Sequence, residues 1–197
     1  MSKLIERRIQ ITLPIKPHKL FKLILIIDQP ELENLFTERV GDYTVRRCTK
    51  EDLKNVISIN LDSLPEHYSD FFFEDILSSS PESFLVAEKD DSLVGYIMCR
   101  AEYGFSNFKR FSLTRKGHMI SLAILEMHRR QGLGEALVRR AVEGLKLKGI
   151  SEVYLEVRVT NTDAVKLYKR LAFDILSTME GYYRDNATAY LMGIQIT

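Results

Sequence analysis

The sequence lacks tryptophan and contains only two cysteines, Cys48 and Cys99, among its 197 residues. Two cysteines are too few for a disulfide framework, and they fit a reducing compartment in which each is a small core residue. We therefore expect a cytoplasmic protein. The four histidines show no ligand spacing with either cysteine, so no metal site is expected.

A strong net charge and a long apolar run are also missing. The 28 basic and 27 acidic side chains give a formal net charge of +1, so no specific nucleic acid partner is expected. No segment reaches the roughly 18–20 apolar residues that span a bilayer, and the longest such run near the start, residues 20–27, contains Lys22. We expect no membrane association. A chain of this length is one domain, or one domain with an appendage.

Residues 1–41 differ from the rest of the chain and are predicted to be an amino-terminal extension. Residues 1–27 carry six basic side chains against the single acid Glu6. A basic start before an apolar stretch resembles a signal peptide, but Pro14 and Pro17 interrupt it and no small-residue cleavage site follows. The extension fits an extra strand or arm packed on the domain, a poorly ordered segment, or a targeting or docking element.

The sequence predicts one domain of strands and helices over residues 42–197. Hairpins come first and strand–helix units follow, which indicates an α/β or α+β fold with a mixed sheet covered by helices. A polar loop is predicted from Gly104 to about Lys116. The predicted strands are 43–47, 84–89, 93–99, 118–125, 151–159, 173–177 and 188–196, and the predicted helices are 49–61, 71–77, 134–148 and 162–171.

The stretch RRQGLG, residues 129–134, joins a predicted strand to a predicted helix. It fits either an ordinary tight turn or a cradle for phosphate. The first turn of a helix has backbone N–H groups without intrahelical partners, at the positive end of the helix dipole. Glycines at 132 and 134 remove Cβ atoms and let an anion approach the backbone. The spacing matches neither the P-loop nor the dinucleotide fingerprint, so the stretch alone leaves both interpretations open.

The context of this stretch carries a resemblance to a known family. Residues 121–142, SLAILEMHRRQGLGEALVRRAV, resemble the acetyl-CoA-binding motif of the GNAT acetyltransferase superfamily through Arg129-x-x-Gly132-x-Gly134. Residues 152–173, EVYLEVRVTNTDAVKLYKRLAF, resemble the next motif of that family through Asn161-x-x-Ala164-x-x-x-Tyr168.

Four further segments narrow the resemblance to the protein N-terminal acetyltransferase branch. Within that branch the sequence is most similar to the archaeal enzymes related to the NatA catalytic subunit and to ribosomal-protein alanine acetyltransferases. The resemblance covers roughly Asp42 to the C-terminus, and its further segments are SLPEHY (63–68), VGYIMCRAEYG (94–104), RKGHMISLAIL (115–125) and GYYRDNATAYLM (181–192).

The resemblance implies the GNAT acyl-CoA N-acyltransferase fold, whose mostly antiparallel central sheet splays between two parallel strands and is flanked by helices. Acetyl-CoA would lie in the split between the strand of His118 and the strand of Glu156, and CoA would leave as product. The implied cofactor-binding residues are Leu122, Ala123, Ile124 and Leu125 along the pantetheine, Arg129, Arg130, Gln131, Gly132, Leu133 and Gly134 around the pyrophosphate, and Asn161 and Tyr168.

The resemblance also implies direct attack of an amine on the thioester, with His118, Glu156 and Tyr168 as catalytic residues. A free α-amine has a pKa of roughly 7.7–8.0, so removing its proton at pH 7 costs only about 1 kcal/mol. The same step costs about 4.6 kcal/mol for a lysine amine. A mild base such as His118, with Glu156 beside it or in its place, would suffice. Tyr168 would steady or protonate the leaving sulfur.

Each of these residues also has a purely structural interpretation. His118 could be a satisfied histidine at the start of a strand, and Glu156 could belong to a solvated strand face. Tyr168 could be a core residue, and Asn161 could be only a helix N-cap.

Residues at two more places are implied to line the peptide entrance. They are Leu64, Pro65, Glu66 and Tyr68 in one segment, and Tyr182 and Tyr183 in the other. The alternative is an ordinary loop and an aromatic cluster. Two positions depart from the family pattern, because His128 stands where tyrosine is common and Ala172 where glycine or asparagine is common.

We therefore predict an acetyl-CoA-dependent transferase that acts on the free α-amino groups of protein or peptide N-termini. Ribosomes or nascent chains are candidate partners. Two alternatives stay open: a GNAT acetyltransferase for lysine or a small-molecule amine, and an acetyl-CoA-binding module without turnover. The exact peptide preference and the oligomeric state are not predicted.

Overall fold

A computed structural model describes residues 37–196, and one mixed eight-stranded sheet runs through this part of the chain. The strands are β1 (Glu38–Val40), β2 (Tyr43–Arg47), β3 (Phe84–Lys89), β4 (Ser92–Phe105), β5 (Leu113–Ile124), β6 (Glu152–Arg158), β7 (Asp174–Met179) and β8 (Ala189–Gln195). The helices are α1 (Leu53–Ser63), α2 (Asp70–Ser79), α3 (Leu133–Leu147) and α4 (Thr162–Arg170), with 3₁₀ turns at Pro81–Ser83 and Glu126–His128.

The sheet divides where β5 meets β6. The strand order is β1-β2-β3-β4-β5-β6-β8-β7, and β5 and β6 are parallel whereas the other neighbouring strands described are antiparallel. The β5–β6 ladder covers only Lys116↔Glu152 to His118↔Tyr154. β5 then continues beside β4, and β6 continues beside β8. The two halves of the sheet therefore splay after His118, which confirms the predicted mixed, splayed architecture.

Helices cover both faces of this sheet. On one face, Leu137 and Leu145 of α3 belong to a buried cluster with Val153 of β6. On the other face, Val56 of α1 and Phe73 of α2 belong to a second cluster with strand residues that include Phe84 and Tyr96. The helical spacing of these apolar residues is what turns one side of each helix to the sheet. No helix within residues 37–196 has the length and apolar character needed to cross a lipid bilayer.

The first helix begins later than predicted. Its expected start was Thr49, but α1 begins at Leu53. The Asp52 carboxylate accepts hydrogen bonds from the Thr49 backbone N–H at 2.8 Å and the Thr49 hydroxyl at 3.1 Å. Asp52 also binds the Arg46 guanidinium at 2.7 Å. These bonds hold the residues before Leu53 in a turn, so the predicted capping partners are correct although the helix starts after them.

The polar loop predicted from Gly104 to Lys116 is wrong at both ends. β4 extends to Phe105 and β5 begins at Leu113, and the two strands are paired as far as Phe105↔Leu113. Only residues 106–112 connect them. Ala101, Tyr103 and Phe105 alternate along β4, but the three consecutive polar residues from Thr114 to Lys116 interrupt the apolar pattern of β5.

Strand β1 lies inside the segment assigned to the amino-terminal extension. It pairs with β2, and the Glu38 carboxylate accepts from the Arg140 guanidinium of α3 at 2.8 Å. Residues 38–40 thus connect the edge of the sheet to α3. Residues 1–36, which carry most of the predicted extension, lie outside the described residues.

The backbone conformation just after α4 can be tested by substitution at Ala172. Its φ is +64°, a left-handed value, and its side chain is exposed. We predict that Ala172→Gly raises the free energy of unfolding by about 0.5–1 kcal/mol, because glycine takes this conformation without a Cβ clash. Urea unfolding measures the change. Ala164→Gly, in regular helix, is the control and should lower stability by about 0.5–1 kcal/mol; a loss in both variants would contradict the prediction.

Candidate active site

The connection from β5 to α3 forms a turn that opens onto the first turn of α3. A 3₁₀ turn at Glu126–His128 follows β5, and Gly132, at the N-cap of α3, has a φ of +82°. Arg130 also has a positive φ, +63°. The N–H groups of the first turn of a helix have no acceptor within the helix. The predicted cradle therefore has the backbone required for an anion, and it lies at the positive end of α3.

The two glycines of this turn have different roles. A Cβ on Gly134 would lie 3.1 Å from Leu167 Cδ2 of α4, so Gly134 allows close packing of α3 against α4. Within 4 Å of a Cβ on Gly132 there would be only one atom from elsewhere in the described chain, Val40 Cγ1 of β1, at 3.6 Å. Gly132 is exposed, so its missing side chain leaves the backbone of the cradle open to a ligand.

The arginines of the turn make structural contacts of their own. Arg129 Nε donates to the Ile124 carbonyl at 2.9 Å, which closes the turn onto the end of β5. Arg130 forms an ion pair with Asp163 at 2.6 Å, and Asp163 lies in the first turn of α4. Both side chains of that pair are largely exposed, so it contributes little to stability. The arrangement keeps positive charge beside the cradle.

The edge of β5 that faces the splay is the predicted pantetheine site. The strand residues implied there, Leu122, Ala123 and Ile124, are paired with β4 on one side and lie beyond the β5–β6 ladder on the other. Leu125 follows the strand, and its N–H donates to the Val94 carbonyl at 2.8 Å. The backbone groups of β5 that point into the gap are therefore suited to pair with an extended ligand.

His118 and Glu156 meet where the two strands separate. His118 Nε2 lies 2.7 Å from Glu156 Oε2, and their side chains are 18% and 15% exposed. The His118 ring stacks on Tyr154, with centroids 4.5 Å apart and planes 5° apart. Because an ionised carboxylate can only accept, the hydrogen lies on Nε2, and a neutral ring then keeps its lone pair on Nδ1. His118 Nδ1 is buried and has no partner among the described residues.

The predicted peptide-entrance residues come together on the same face as Glu156. Glu66, between α1 and α2, forms an ion pair with Arg158 of β6 at 2.7 Å. Arg158 also binds Asp185 at 2.7 Å and lies 4.0 Å from the centre of the Tyr183 ring. The α1–α2 loop and the β7–β8 loop are thus joined through one arginine of the central sheet.

Tyrosines from both loops lie near enough to the Glu156 carboxylate for its charge to act on them. Burial and the charge of Glu156 raise the pKa of Tyr182 to about 12. Burial and the charges of Glu66 and Glu156 also raise the pKa of Tyr68. These hydroxyls therefore remain protonated at neutral pH and can donate hydrogen bonds to a peptide carbonyl. Leu64 is half-buried and Pro65 is exposed beside them.

Tyr168 and Asn161 lie on and before α4. Tyr168 is buried, and burial raises the pKa of its phenol above the ordinary value. Full proton transfer from this phenol is therefore unfavourable, and a hydrogen bond from it is the available contribution. Asn161 Oδ1 accepts from the Ala164 N–H at 3.2 Å, so the residue is an N-cap. A contact from Asn161 to a cofactor would use its amide nitrogen.

A buried hydrogen-bond relay was not predicted from the sequence. Asn60 Nδ2 donates to the Glu66 carbonyl at 3.2 Å and to Tyr96 Oη at 2.9 Å, and the Tyr96 hydroxyl lies 2.6 Å from Ser121 Oγ. Ser121 follows Ile120, the extra residue of a β-bulge in β5. The relay joins the α1–α2 loop to β5. Its polar residues lie far apart in sequence, so no local pattern indicates it.

Tyr154 and Arg158, which contact the predicted site residues, were not predicted but could have been identified from the alternation along β6. Tyr154, Glu156 and Arg158 alternate with apolar residues along β6 and share one face. Tyr154 supports the His118 ring and donates to Glu102 Oε1 at 2.7 Å. No group of three His, Cys, Asp or Glu side chains within residues 37–196 is arranged to hold a metal ion.

Comparison with known proteins gives the site a family context. The model of the acetyltransferase (GNAT) family matches residues 52–173. The N-alpha-acetyltransferase of Sulfurisphaera tokodaii is 44% identical over 153 residues, which cover 77% of this chain and 92% of that protein. The N-alpha-acetyltransferase of Saccharolobus solfataricus is also 44% identical over 153 residues, with the same coverage of 77% and 92%.

Two crystal structures extend the similarity to three dimensions. Ard1 from Thermoplasma volcanium superposes with a TM-score of 0.68 at 29% identity, covering 79% of this chain and 99% of that one. Chaetomium thermophilum Naa20, in complex with a bisubstrate analogue, superposes with a TM-score of 0.67 at 29% identity, covering 77% of this chain and 86% of that one.

A pair of glycines at the two ends of α3 provides a test of the cradle. Gly132 and Gly149 are both exposed, with φ of +82° and +74°. Changing either to alanine should therefore cost a similar backbone strain of about 1–2 kcal/mol. We predict that Gly132→Ala weakens CoA binding at least tenfold, because one N–H bonded to a charged oxygen is worth about 1.5–3 kcal/mol.

Calorimetric titration with CoA and urea unfolding of both variants check this prediction. Gly149→Ala should lose stability and keep its CoA affinity within about twofold. Unchanged affinity in Gly132→Ala, with the same loss of stability as in Gly149→Ala, would refute the cradle.

Proposed function

The chain belongs to the acetyltransferase (GNAT) family, and we propose that it transfers the acetyl group of acetyl-CoA to the free α-amino group of protein N-termini. The observation that carries this proposal is the His118–Glu156 pair, which lies where β5 and β6 separate. The edge of β5 leads from this pair to the cradle. The α1–α2 loop and the β7–β8 loop, which carry the predicted peptide-entrance residues, meet beside Glu156. The site thus provides a base between an anion-binding turn and a peptide entrance.

The residues of the cradle fit the diphosphate of acetyl-CoA. The open backbone at Gly132 and the first turn of α3 would bind the diphosphate, and the free edge of β5 would pair with the pantetheine. Acetyl-CoA supplies an activated acetyl group on sulfur. The tasks left to this chain are to bind the two substrates, to accept a proton from the amine and to support the departing thiol.

The proton is accepted by the His118–Glu156 pair. An α-amine needs only a mild base, because its pKa of roughly 7.7–8.0 is close to neutral pH. Glu156 can accept the proton directly or through a water, and the hydrogen bond from His118 Nε2 fixes the position of its carboxylate.

The chain's cysteines do not form an acyl-enzyme in this proposal. Cys48 and Cys99 are buried free thiols, and burial raises the pKa of each well above its ordinary value. Neither thiol is therefore a ready nucleophile. The amine attacks the thioester carbonyl directly, the carbon–sulfur bond breaks, and CoA leaves as a thiolate that accepts a hydrogen bond from the Tyr168 hydroxyl and takes its proton from solvent.

Substrate choice, partners and location are the finer parts of the proposal. The Glu66–Arg158 ion pair supports a role for Glu66 in choosing the first side chain of the peptide, since it fixes the carboxylate in the entrance loop. Nascent chains or ribosomes are the proposed partners, because new N-termini appear there. The two free thiols support a reducing, cytoplasmic location.

A panel of short peptides tests the reaction itself. We predict thiol release with free N-termini and loss of at least 90% of this activity when the same peptides are blocked at the N-terminus. A matched set places one lysine in each blocked peptide. Activity that persists on the blocked lysine peptides would point to a lysine acetyltransferase, and CoA binding without any turnover would point to a binding module.

Variants of the base pair test its role in proton removal. We predict that His118→Ala, Glu156→Gln and the double variant each lower kcat by about 10²-fold or more. The kcat of the double variant should fall by a smaller factor than the product of the two single factors, because the two residues share one hydrogen bond. The affinity for acetyl-CoA should change less than twofold in calorimetry.

The control for these variants is Glu143→Gln, which removes an exposed carboxylate of α3 away from the site. It should leave kcat unchanged. A double His118/Glu156 variant that turns over at the normal rate would show that neither residue assists proton removal.

A further inference from the structure

Large apolar side chains are exposed on the β4–β5 hairpin. Tyr103, Phe105, Phe111 and Leu113, which we call the hairpin patch, are 71%, 66%, 87% and 57% exposed. Phe105 is paired with Leu113 and Tyr103 with Arg115, so Tyr103, Phe105 and Leu113 share one face of the hairpin, and Phe111 lies in the loop that connects the two strands. A cluster of this kind is a mark of an interaction site rather than of an ordinary surface.

The loop that presents this patch is held in one conformation. Ser106 Oγ donates to the Glu152 carboxylate at 2.7 Å and accepts from the N–H groups of Phe108 and Lys109 at 3.0 Å and 2.8 Å. Glu152 is only 3% exposed. Phe111 has a φ of +56°, which is unusual for a bulky side chain. The loop thus keeps an aromatic ring in solvent in a strained conformation.

The charge around the patch has one sign. Residues 102–116 contain the cations Lys109, Arg110, Arg115 and Lys116 and the single acid Glu102. Glu102 lies on the opposite face from Tyr103 and binds Tyr154. Arg115 extends from the patch face and donates to the Lys148 carbonyl at the end of α3 at 3.1 Å. Lys116 pairs with Glu102 on that opposite face at 3.8 Å, so the cations displayed with the rings are Lys109, Arg110 and Arg115, and the carboxylate points away.

The positive charge beside the hairpin patch distinguishes between the molecules that could bind it. A second copy of the chain would bring a second set of the same cations against the first, which opposes association. The chain's own residues 1–27 carry six cations and one acid, so they are repelled in the same way. Protein interfaces are depleted of lysine, whereas Lys109 lies two residues before Phe111.

We propose that the hairpin patch binds single-stranded RNA. The bases stack on the exposed rings of Tyr103, Phe105 and Phe111, and the phosphates bind Lys109, Arg110 and Arg115. Aromatic rings with flanking cations are the elements that hold single strands without reading their sequence. The proposal is thus separate from the expectation that the chain has no specific nucleic acid partner. It also does not depend on the acetyltransferase activity.

Fluorescence anisotropy of a labelled 16-nucleotide oligouridine, titrated with the full chain, tests the proposal. We expect Lys109→Ala/Arg110→Ala to weaken binding at least tenfold and to lower the slope of log affinity against log salt by about 1.4, for two lost phosphate contacts. Phe111→Ala should weaken binding at least fivefold at unchanged net charge. The control Lys50→Ala/Lys54→Ala removes two exposed cations beside and on α1 and should change affinity less than twofold.

Two further measurements separate RNA from other partners. Peptide acetylation by the patch variants should match the wild type, which shows that they are folded. Equal affinity of the oligonucleotide for wild type and Lys109→Ala/Arg110→Ala would overturn the proposal. Displacement of the oligonucleotide by an equimolar polyglutamate peptide would indicate an acidic protein partner instead. Self-association in sedimentation that Phe111→Ala abolishes would indicate a second copy.

Discussion

The early end of the β5–β6 ladder is the constraint on which the site depends. Parallel strands that stayed paired would satisfy each other's backbone groups and leave no space between them. Because pairing stops at His118↔Tyr154, one edge of β5 is open over the residues that lead to the cradle. The same divergence places His118 and Glu156 at the vertex of the gap, 2.7 Å apart. The open edge of β5 and the His118–Glu156 pair therefore arise from a single feature of the sheet.

Near this vertex, ion pairs also hold the α1–α2 loop and the β7–β8 loop in place. Arg158 binds Glu66 from one loop and Asp185 from another, so one cation of β6 holds both sides of the predicted peptide entrance. Glu156 remains bonded to His118 and raises the pKa of Tyr182, after the larger effect of burial. A carboxylate in this position can accept a proton, whereas the tyrosines around it can only donate. This division of roles suits an amine substrate with a peptide backbone behind it.

The fold was largely predictable because its signals are local. Apolar alternation and helical spacing indicate β6 and α3 to within a residue or two, and the turn residues delimit the β3–β4 hairpin. The end of the β4–β5 hairpin was missed because the polar residues from Thr114 to Lys116 interrupt the apolar period in β5, although Ala101, Tyr103 and Phe105 alternate in β4. The site residues His118, Glu156 and Tyr168 were named from motif resemblance, while their contacts were not predictable.

The sequence by itself determined the class of fold, the glycine turn before α3 and the residue types available for chemistry, because each depends on neighbours within a few positions. Only the tertiary structure decided that Glu66 meets Arg158, that Asn60 connects to Ser121 through Tyr96, and that four exposed apolar side chains gather on one hairpin. These contacts join residues separated by up to 92 positions in the chain. Their distances are set by sheet order and by the splay, which no local pattern encodes.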